Sequence, residues 1–136
     1  MKIIFFGTPS FAATTLKFLI ESERKISAVV SAPDSRKGRG RQLQATEVKT
    51  LAIDEKIAVL QPLNLKDPDF IENLKSFNAD LFVVVAFRML PEIVWRIPKK
   101  GTINLHSSLL PDYRGAAPVN RVLINGELKT GITTFF

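Results

Sequence analysis

The sequence of 136 residues contains no cysteine and a single histidine, His106. The absence of cysteine excludes disulfide bonds, thiolate metal sites and a cysteine nucleophile. One histidine without cysteine also argues against a zinc site, so we expect no metal. No apolar run approaches the roughly 18 residues that a membrane-spanning helix needs, and the amino terminus does not resemble a signal peptide. We therefore expect a cytoplasmic protein without a membrane partner.

The glycine-rich G-x-G-x-x-G pattern of dinucleotide-binding proteins is also missing. The first predicted strand is followed by Gly-Thr-Pro-Ser-Phe at positions 7–11, which supplies only one of the three glycines. We interpret this stretch as a tight turn into a helix, with Thr8 as the N-cap and Pro9 at the first helical position. A dinucleotide cofactor is therefore not expected.

Positive charge is in excess, with a net charge of +6 at pH 7. Four basic residues lie within positions 36–41, interleaved with two glycines: Arg36, Lys37, Arg39 and Arg41. Such a balance suits either a polyanionic partner or an anionic small substrate, and composition alone leaves both open.

Short apolar runs alternate with segments of helical periodicity along the chain. Strands are predicted at residues 2–6, 26–30, 57–60, 81–86, 102–106 and 132–136, and the run at 81–86 should be central because it is apolar on both faces. Helices are predicted at 9–21, from Thr46, from Asp67 and at 115–125, with a short helical turn at 91–97 and a long loop at 31–45. This order predicts an α/β fold, with a doubly wound, mostly parallel sheet of Rossmann-like topology.

The last predicted strand stops on Phe135 and Phe136 with no turn residue after it. A sheet that ended there would expose an apolar edge. We therefore expect residues 1–136 to form a domain that is incomplete at its carboxyl end.

Asn104 and His106 are the residues that point most directly to chemistry. They lie two apart on a predicted strand, so their side chains share a face. They are also near the carboxyl end of that strand, where open α/β sheets bind ligands. An amide donor beside an imidazole can stabilise an oxyanion. A serine nucleophile at Ser107 or Ser108 fits less well, because the nucleophile-elbow pattern is absent.

The stretch at 104–118 reads Asn-Leu-His-Ser-Ser-Leu-Leu-Pro-Asp-Tyr-Arg-Gly-Ala-Ala-Pro, and it resembles the signature of the 10-formyltetrahydrofolate-dependent formyltransferases. Arg-Gly-Ala-Ala-Pro at 114–118 is similar to the methionyl-tRNA formyltransferase branch of that family. So are Ile-Ile-Phe-Phe-Gly-Thr-Pro at 3–9, Ala-Pro-Asp at 32–34 followed by Gly-Arg-Gly at 38–40, and Val-Leu-Gln-Pro at 59–62. The resemblance covers nearly the whole chain.

The resemblance implies roles for particular residues. Asn104 and His106 match two members of a catalytic trio whose third member, an aspartate, would lie beyond residue 136. The folate-binding stretch corresponds to Ser108, Leu109, Leu110 and Pro111. The loop that holds the pterin corresponds to residues 86–91 and includes Phe87, Arg88, Met89 and Leu90, although it differs from the commoner tyrosine–glycine form. The basic loop with Arg36, Lys37, Arg39 and Arg41 corresponds to the segment that reaches the acceptor end of the tRNA.

The implied reaction transfers a formyl group from 10-formyltetrahydrofolate to the α-amine of initiator methionyl-tRNA. By the same resemblance both the catalytic aspartate and the carboxyl-terminal tRNA-binding domain lie outside these residues, so we expect these residues alone to be inactive. We also expect the full-length enzyme to be monomeric. Formyltransferases of glycinamide ribonucleotide or of an amino-sugar nucleotide remain alternatives, because they share the Asn–His–Leu-Leu-Pro core. A non-catalytic nucleic-acid-binding α/β module would explain the charge, but it leaves Asn104 and His106 unexplained.

Overall fold

A computed structural model describes residues 1–37 and 42–136 of the chain. Its elements are, in order, β1 (Lys2–Gly7), α1 (Ser10–Glu21), β2 (Lys25–Val30), β3 (Ser35–Lys37), β4 (Gln42–Gln44), α2 (Glu47–Asp54), β5 (Ala58–Leu60), α3 (Pro68–Ser76), β6 (Leu81–Val85), α4 (Glu92–Trp95), β7 (Thr102–His106), α5 (Pro118–Ile124) and β8 (Thr133–Phe135). Within these described ranges, no helix is long and apolar enough to cross a membrane.

The main sheet of the described residues has six strands in the order β5-β2-β1-β6-β7-β8. All its neighbouring strands are parallel except β8, which runs antiparallel to β7. From β1 the chain proceeds outward to β2 and β5, and it then returns to β6 and proceeds outward on the other side. The predicted α/β fold with a doubly wound, mostly parallel sheet is therefore confirmed.

The core has two layers, one on each face of the sheet. On one face, Ile4 and Phe6 of β1 pack in a cluster with Leu74 of α3 and Val94 of α4. On the other face, Phe5 packs in a cluster with residues of α1 and α2. Both faces of β1 and β6 are covered, which explains why these strands read as continuous apolar runs rather than as alternating ones.

Side-chain caps begin two of the helices at the predicted residues. The Thr46 side chain accepts a hydrogen bond from the Lys49 amide, and the Asp67 side chain accepts one from the Asp69 amide. The predicted N-cap at Thr8 is wrong. Pro9 has an extended conformation and its carbonyl accepts the first helical bond from the Ala13 amide, so Pro9 is itself the cap and α1 begins one residue later.

Two further boundaries differ from the sequence prediction. The loop predicted at 31–45 contains a strand pair, since β3 and β4 are antiparallel with Arg36 opposite Leu43. The helix predicted from Gly115 begins only at Pro118, because Gly115 and Ala117 have φ values of 88° and 50°. Those left-handed conformations are incompatible with a right-handed helix.

We expect Phe82→Ala to lower the free energy of unfolding by about 3–5 kcal/mol, because it leaves a cavity in the core. Phe82 is fully buried, and its ring centroid lies 5.0 Å from that of Phe6. Phe18→Ala is the matched control, since the Phe18 side chain is 67% exposed, and we expect it to change stability by less than about 0.5 kcal/mol. Urea unfolding of the full-length variants measures both values, and equal effects would contradict this description of the core.

Candidate active site

A cleft of about 1420 Å³ opens at the carboxyl ends of β6 and β7. It is lined by Phe11 of α1, by the loop that follows β6, by the end of β7 with its following loop, and by the start of α5. The order of the strands reverses between β1 and β6, next to this cleft. Open α/β sheets bind their ligands at such a point, outside the carboxyl ends of the strands.

Asn104 and His106 both line the cleft and are half-buried. The structure therefore brings the two predicted catalytic residues together on one face of β7. Across the antiparallel pair with β8, Asn104 is opposite Phe135 and His106 is opposite Thr133. Phe135 also lines the cleft, so β8 forms part of the wall beside the pair.

The imidazole of His106 is oriented by a main-chain group. Its Nε2 atom lies 2.9 Å from the carbonyl oxygen of Tyr113. A carbonyl oxygen can only accept a hydrogen bond, so Nε2 must carry the proton and donate. In the neutral ring Nδ1 is then the unprotonated nitrogen. The contact thus fixes both the position of the ring and the nitrogen that can take up a proton.

The loop that follows His106 is fastened by two hydroxyl groups. Ser108 is fully buried, and its Oγ donates to the carbonyl of Asp112 over 2.7 Å. The Oγ1 of Thr133 donates to the carbonyl of Ser108 over 2.7 Å and accepts from the amide of Leu110 over 3.1 Å. Thr133 therefore joins β8 to the loop that follows His106. Thr133 is also the residue of β8 that lies opposite His106 in the sheet.

The four residues of the predicted folate-binding stretch have different positions. Leu110 and Pro111, which are joined by a cis peptide bond, line the cleft. Ser108 is buried behind them, and the side chain of Leu109 packs against Gly131, where a Cβ atom would lie 2.4 Å from it. Leu110 and Pro111 are thus the members of this stretch that a ligand in the cleft would contact.

The predicted pterin loop borders the same cleft, and Phe87, Arg88, Met89 and Leu90 all line it. The loop leaves β6 through Ala86, whose φ of 46° turns the chain away from the sheet. Phe87 packs edge-on against Phe6 with 5.7 Å between ring centroids. The guanidinium of Arg88 lies 5.6 Å from the centre of the Phe87 ring and donates to the carbonyls of Leu63 and Pro62. Arg88 therefore fastens this loop to the turn that follows β5.

Tyr113, whose carbonyl holds His106, is itself tied to the end of α5. Its hydroxyl donates to the carboxylate of Glu127 and accepts from the Asn125 amide over 2.9 Å. The bond to Glu127 raises the pKa of the Tyr113 hydroxyl above its ordinary value. Because the phenol pKa is raised, the stabilisation that the hydrogen bond between Tyr113 and Glu127 provides is fully present at neutral pH. It is lost only when an alkaline pH rises through the raised pKa of Tyr113.

Of the four predicted tRNA-binding residues, the structure describes the side chain of Arg36, which is not among the residues that line the cleft. Arg36 is exposed on β3. The side chain of Lys37 and the residues Arg39 and Arg41 lie outside the part of the chain that the structure describes.

Several cleft residues were not singled out from the sequence. The aromatic side chains Phe11 and Trp95 line the cleft, as does Arg114. Phe11 lies two residues after the Gly-Thr-Pro turn, so its place beside the reversal of strand order could have been inferred from the predicted topology. Arg114 was noticed only as part of a motif, and nothing local in the sequence marks Trp95 or the role of Thr133.

A mostly parallel α/β sheet with a cleft at its carboxyl edge is the arrangement in which open α/β proteins bind small ligands. The family model described as "Formyl transferase" matches residues 1–136. The methionyl-tRNA formyltransferase of Bacteroides fragilis is 52% identical over 136 residues, and that of Clostridioides difficile is 52% identical over 137 residues. The chain therefore belongs to the formyl transferase family. All of this chain is covered in both comparisons, yet it spans only 42% and 44% of the two relatives.

Solved structures agree on the fold. The phosphoribosylglycinamide formyltransferase of Bacillus halodurans superimposes with a TM-score of 0.78 at 17% identity, over 100% of this chain and 71% of that one. The sugar 3N-formyl transferase WlaRD gives a TM-score of 0.64 at 21% identity, over 98% of this chain and 45% of that one. At these identities the likeness concerns the fold alone.

We expect Thr133→Val to destabilise the protein by about 1–3 kcal/mol, because the valine leaves the amide of Leu110 and the carbonyl of Ser108 without their partner. Thr133→Ser retains the hydroxyl and should recover most of the loss. Thr134→Val makes the same change at the exposed neighbouring position and should alter stability by less than about 0.5 kcal/mol. Thermal unfolding of the three variants gives the comparison, and a harmless Thr133→Val would contradict the fastening role.

Proposed function

We propose that this chain carries the formyl-transfer centre of an enzyme that moves a formyl group from 10-formyltetrahydrofolate to the α-amine of initiator methionyl-tRNA. The observation that carries the proposal is the pairing of Asn104 and His106 in the cleft at the carboxyl end of β7. Membership of the formyl transferase family supports the reaction class. The names of the relatives at about 50% identity support the acceptor.

The cleft suits a folate co-substrate in size and character. Its volume of about 1420 Å³ is sufficient for a small-molecule ligand, since common small-molecule sites have roughly 300–1,000 Å³. Phe87, Leu90 and Trp95 give it apolar walls, which suit a planar heteroaromatic ring. Leu110 and Pro111 would contact the donor between those walls and Asn104. The co-substrate itself supplies the electrophilic formyl carbon.

Asn104 and His106 have distinct tasks in the proposed reaction. The side-chain amide of Asn104 donates a hydrogen bond to the formyl oxygen, which gains negative charge as the amine attacks the formyl carbon. His106 takes up the amine proton at Nδ1, since Nε2 already donates to Tyr113. The same proton is then delivered to N10 as the carbon–N10 bond breaks. The new amide bond forms without a net change in protonation.

The proposal includes parts that lie outside these residues. The chain spans less than half the length of its curated relatives. We infer that residues 1–136 form the amino-terminal part of the catalytic domain. An aspartate that completes the trio and a carboxyl-terminal tRNA-binding domain would lie further along the full-length protein. The basic residues Arg36, Lys37, Arg39 and Arg41 would contact the phosphates at the acceptor end of the tRNA.

The alternatives have less support. The solved structures named as glycinamide ribonucleotide or sugar formyltransferases share only 16–23% identity with this chain, and such a likeness concerns the fold and not the acceptor. A binding module without catalysis does not require an amide and an oriented imidazole in one cleft. The decisive experiment is a formylation assay of the full-length protein with charged initiator tRNA, glycinamide ribonucleotide and an amino-sugar nucleotide. Transfer to either small substrate in preference to tRNA would contradict the proposal.

We expect Asn104→Ala to lower kcat of the full-length enzyme by about 10²–10³-fold, the usual effect of losing one oxyanion donor. His106→Ala should lower kcat by about 10²–10⁴-fold, the usual effect of losing a group that transfers a proton. The affinity for folate should change much less, because neither residue lies in the stretch assigned to the donor. Asn73→Ala, at an exposed position on α3, is the control. Steady-state kinetics and folate titration separate the two effects, and near-normal turnover of either variant would remove its assigned role.

We expect replacement of Arg36, Lys37, Arg39 and Arg41 by alanine to raise KM for charged tRNA and to leave folate affinity unchanged. The salt dependence of tRNA binding should become shallower, since each lost phosphate contact removes roughly one released counterion. Four exposed lysines provide a control with the same loss of charge: Lys17, Lys56, Lys75 and Lys99. If both quadruple variants show the same KM for charged tRNA and the same salt dependence, the four basic residues at 36–41 act only through the overall charge of the protein. That result would contradict their proposed contact with the tRNA phosphates.

A further inference from the structure

The strand pair β3–β4 stands apart from the main sheet. It forms a separate two-stranded sheet, and all three residues of β4 are exposed. Leu43, opposite Arg36, is 68% exposed, so it covers no apolar core. Within the described residues, the direction of this pair must therefore be set where the chain enters and leaves it.

The entry and the exit are joined by a buried hydroxyl pair. Ser31, directly after β2, is fully buried, and its Oγ lies 2.6 Å from the Oγ1 of Thr46, which is 8% exposed. Thr46 also begins α2, since its side chain accepts from the Lys49 amide over 3.1 Å. The two ends of the segment 32–45 are thus held next to each other, but a single point of closure does not determine where the strand pair is directed.

A second set of contacts lies one residue before β3. The carboxylate of Asp34 accepts a hydrogen bond from Lys49 Nζ over 2.6 Å on one oxygen, and from Gln61 Nε2 over 2.8 Å on the other. Gln61 Nε2 also donates to the carbonyl of Ala32 over 2.7 Å. Lys49 belongs to α2, and Gln61 follows β5. One carboxylate is therefore tied to two separate elements of the main domain.

This cluster is more sheltered than an ordinary surface ion pair. The side chains of Asp34 and Lys49 are 24% and 21% exposed. The hydrogen bonds from Gln61 and from Lys49 hold the pKa of the Asp34 carboxyl below its ordinary value. A lowered carboxyl pKa means that the stabilisation from this carboxylate is present at neutral pH and is lost only as acidic pH falls through the lowered value.

The cluster also affects the charge of the strand pair. Asp34 lies only two residues before Arg36, and an unpartnered carboxylate there would compete with an anionic ligand for the arginine. In the described part of the chain, both oxygens of Asp34 have partners in Lys49 and Gln61. The acidic group is thereby directed toward α2 and β5, and the exposed Arg36 side chain can interact with an anion.

We propose that Asp34, Lys49 and Gln61 are positioning residues, which set the direction of the β3–β4 pair so that its basic side chains meet the phosphates of an RNA acceptor. The inference rests on the proposed function, because it assigns the cluster to the use of tRNA. It assigns no contact with the folate and none with the reacting atoms.

The test uses Asp34→Asn and Lys49→Met in the full-length enzyme. Each variant removes one charge of the pair, and we expect KM for charged initiator tRNA to rise on the order of tenfold, as one or two phosphate contacts are lost. KM for 10-formyltetrahydrofolate and kcat at saturating tRNA should stay within about twofold of wild type. The salt slope of tRNA binding should become shallower by about one for each lost contact.

The controls make the same changes of charge at nearby exposed positions. Asp54→Asn lies at the end of α2 and Lys56→Met lies just beyond it, and both should leave all three parameters unchanged. The double variant Asp34→Lys with Lys49→Asp reverses the charges and retains an ion pair at the same place, while Gln61 Nε2 keeps its hydrogen bond to the carbonyl of Ala32. We expect this reversal to restore KM for tRNA to within about threefold of wild type, which a defect in folding alone would not allow.

Unchanged KM and salt slope in Asp34→Asn and Lys49→Met would overturn the inference. So would a fall in kcat alone, since that reports fewer folded molecules rather than a misdirected strand pair. If one single variant does not fold, the double variant with the reversed pair decides the question. A double variant that folds normally but has a KM for charged tRNA as high as that of the remaining single variant would also overturn the inference. A wild-type enzyme that does not formylate tRNA would instead contradict the proposed function, so the two failures are distinguishable.

Discussion

The parallel pairing of β1 with β6 is the constraint on which the rest of the molecule depends. Their five-residue register, from Ile3 beside Leu81 to Gly7 beside Val85, places two strands that are covered on both faces at the centre of the sheet. The chain proceeds outward in opposite directions from this pair, so the connections diverge at its carboxyl end and leave a crevice. At Gly7 a Cβ atom would lie 2.6 Å from that of Ala12, so only glycine lets α1 approach so closely beside the crevice.

The chemistry at that crevice is set mostly by main-chain groups. The carbonyl of Tyr113 orients His106, and the amide of Leu110 and the carbonyl of Ser108 are held by Thr133. Backbone groups cannot be removed by substitution, so the geometry of the site depends on the path of the loop. That path includes Tyr113 and Ala117 in left-handed conformations, which cost energy and persist only where the surroundings hold them. The hydrogen bond from Thr133 of β8 to the carbonyl of Ser108, and the one from the Tyr113 hydroxyl to Glu127, hold the part of this loop that contains Tyr113.

The parts of the structure that could be predicted are those that a short stretch of sequence specifies. Apolar runs specify β1 and β6, capping residues specify the starts of α2 and α3, and the spacing of Asn104 and His106 places both on one face of a strand. The β3–β4 pair lies in a segment whose polar and glycine-rich sequence predicts a loop. The helix α5 starts later than predicted because Ala117 has a left-handed conformation. An alanine in the sequence gives no indication of such a conformation. The Asp34 cluster joins residues 15 and 27 positions apart, and no local pattern records such contacts.

The turn after β5 connects the two loops that the proposed reaction requires. Gln61 donates to Asp34 and Ala32 at the base of the basic strand pair, and the next two carbonyls, of Pro62 and Leu63, accept from Arg88 in the loop that borders the cleft. Three consecutive residues after one edge strand thus support both the β3–β4 pair and the loop that borders the cleft. The main sheet holds that turn through the parallel pairing of β5 with β2. Since both loops are fastened to the same short segment, their relative position follows from the sheet and not from any contact between the loops themselves.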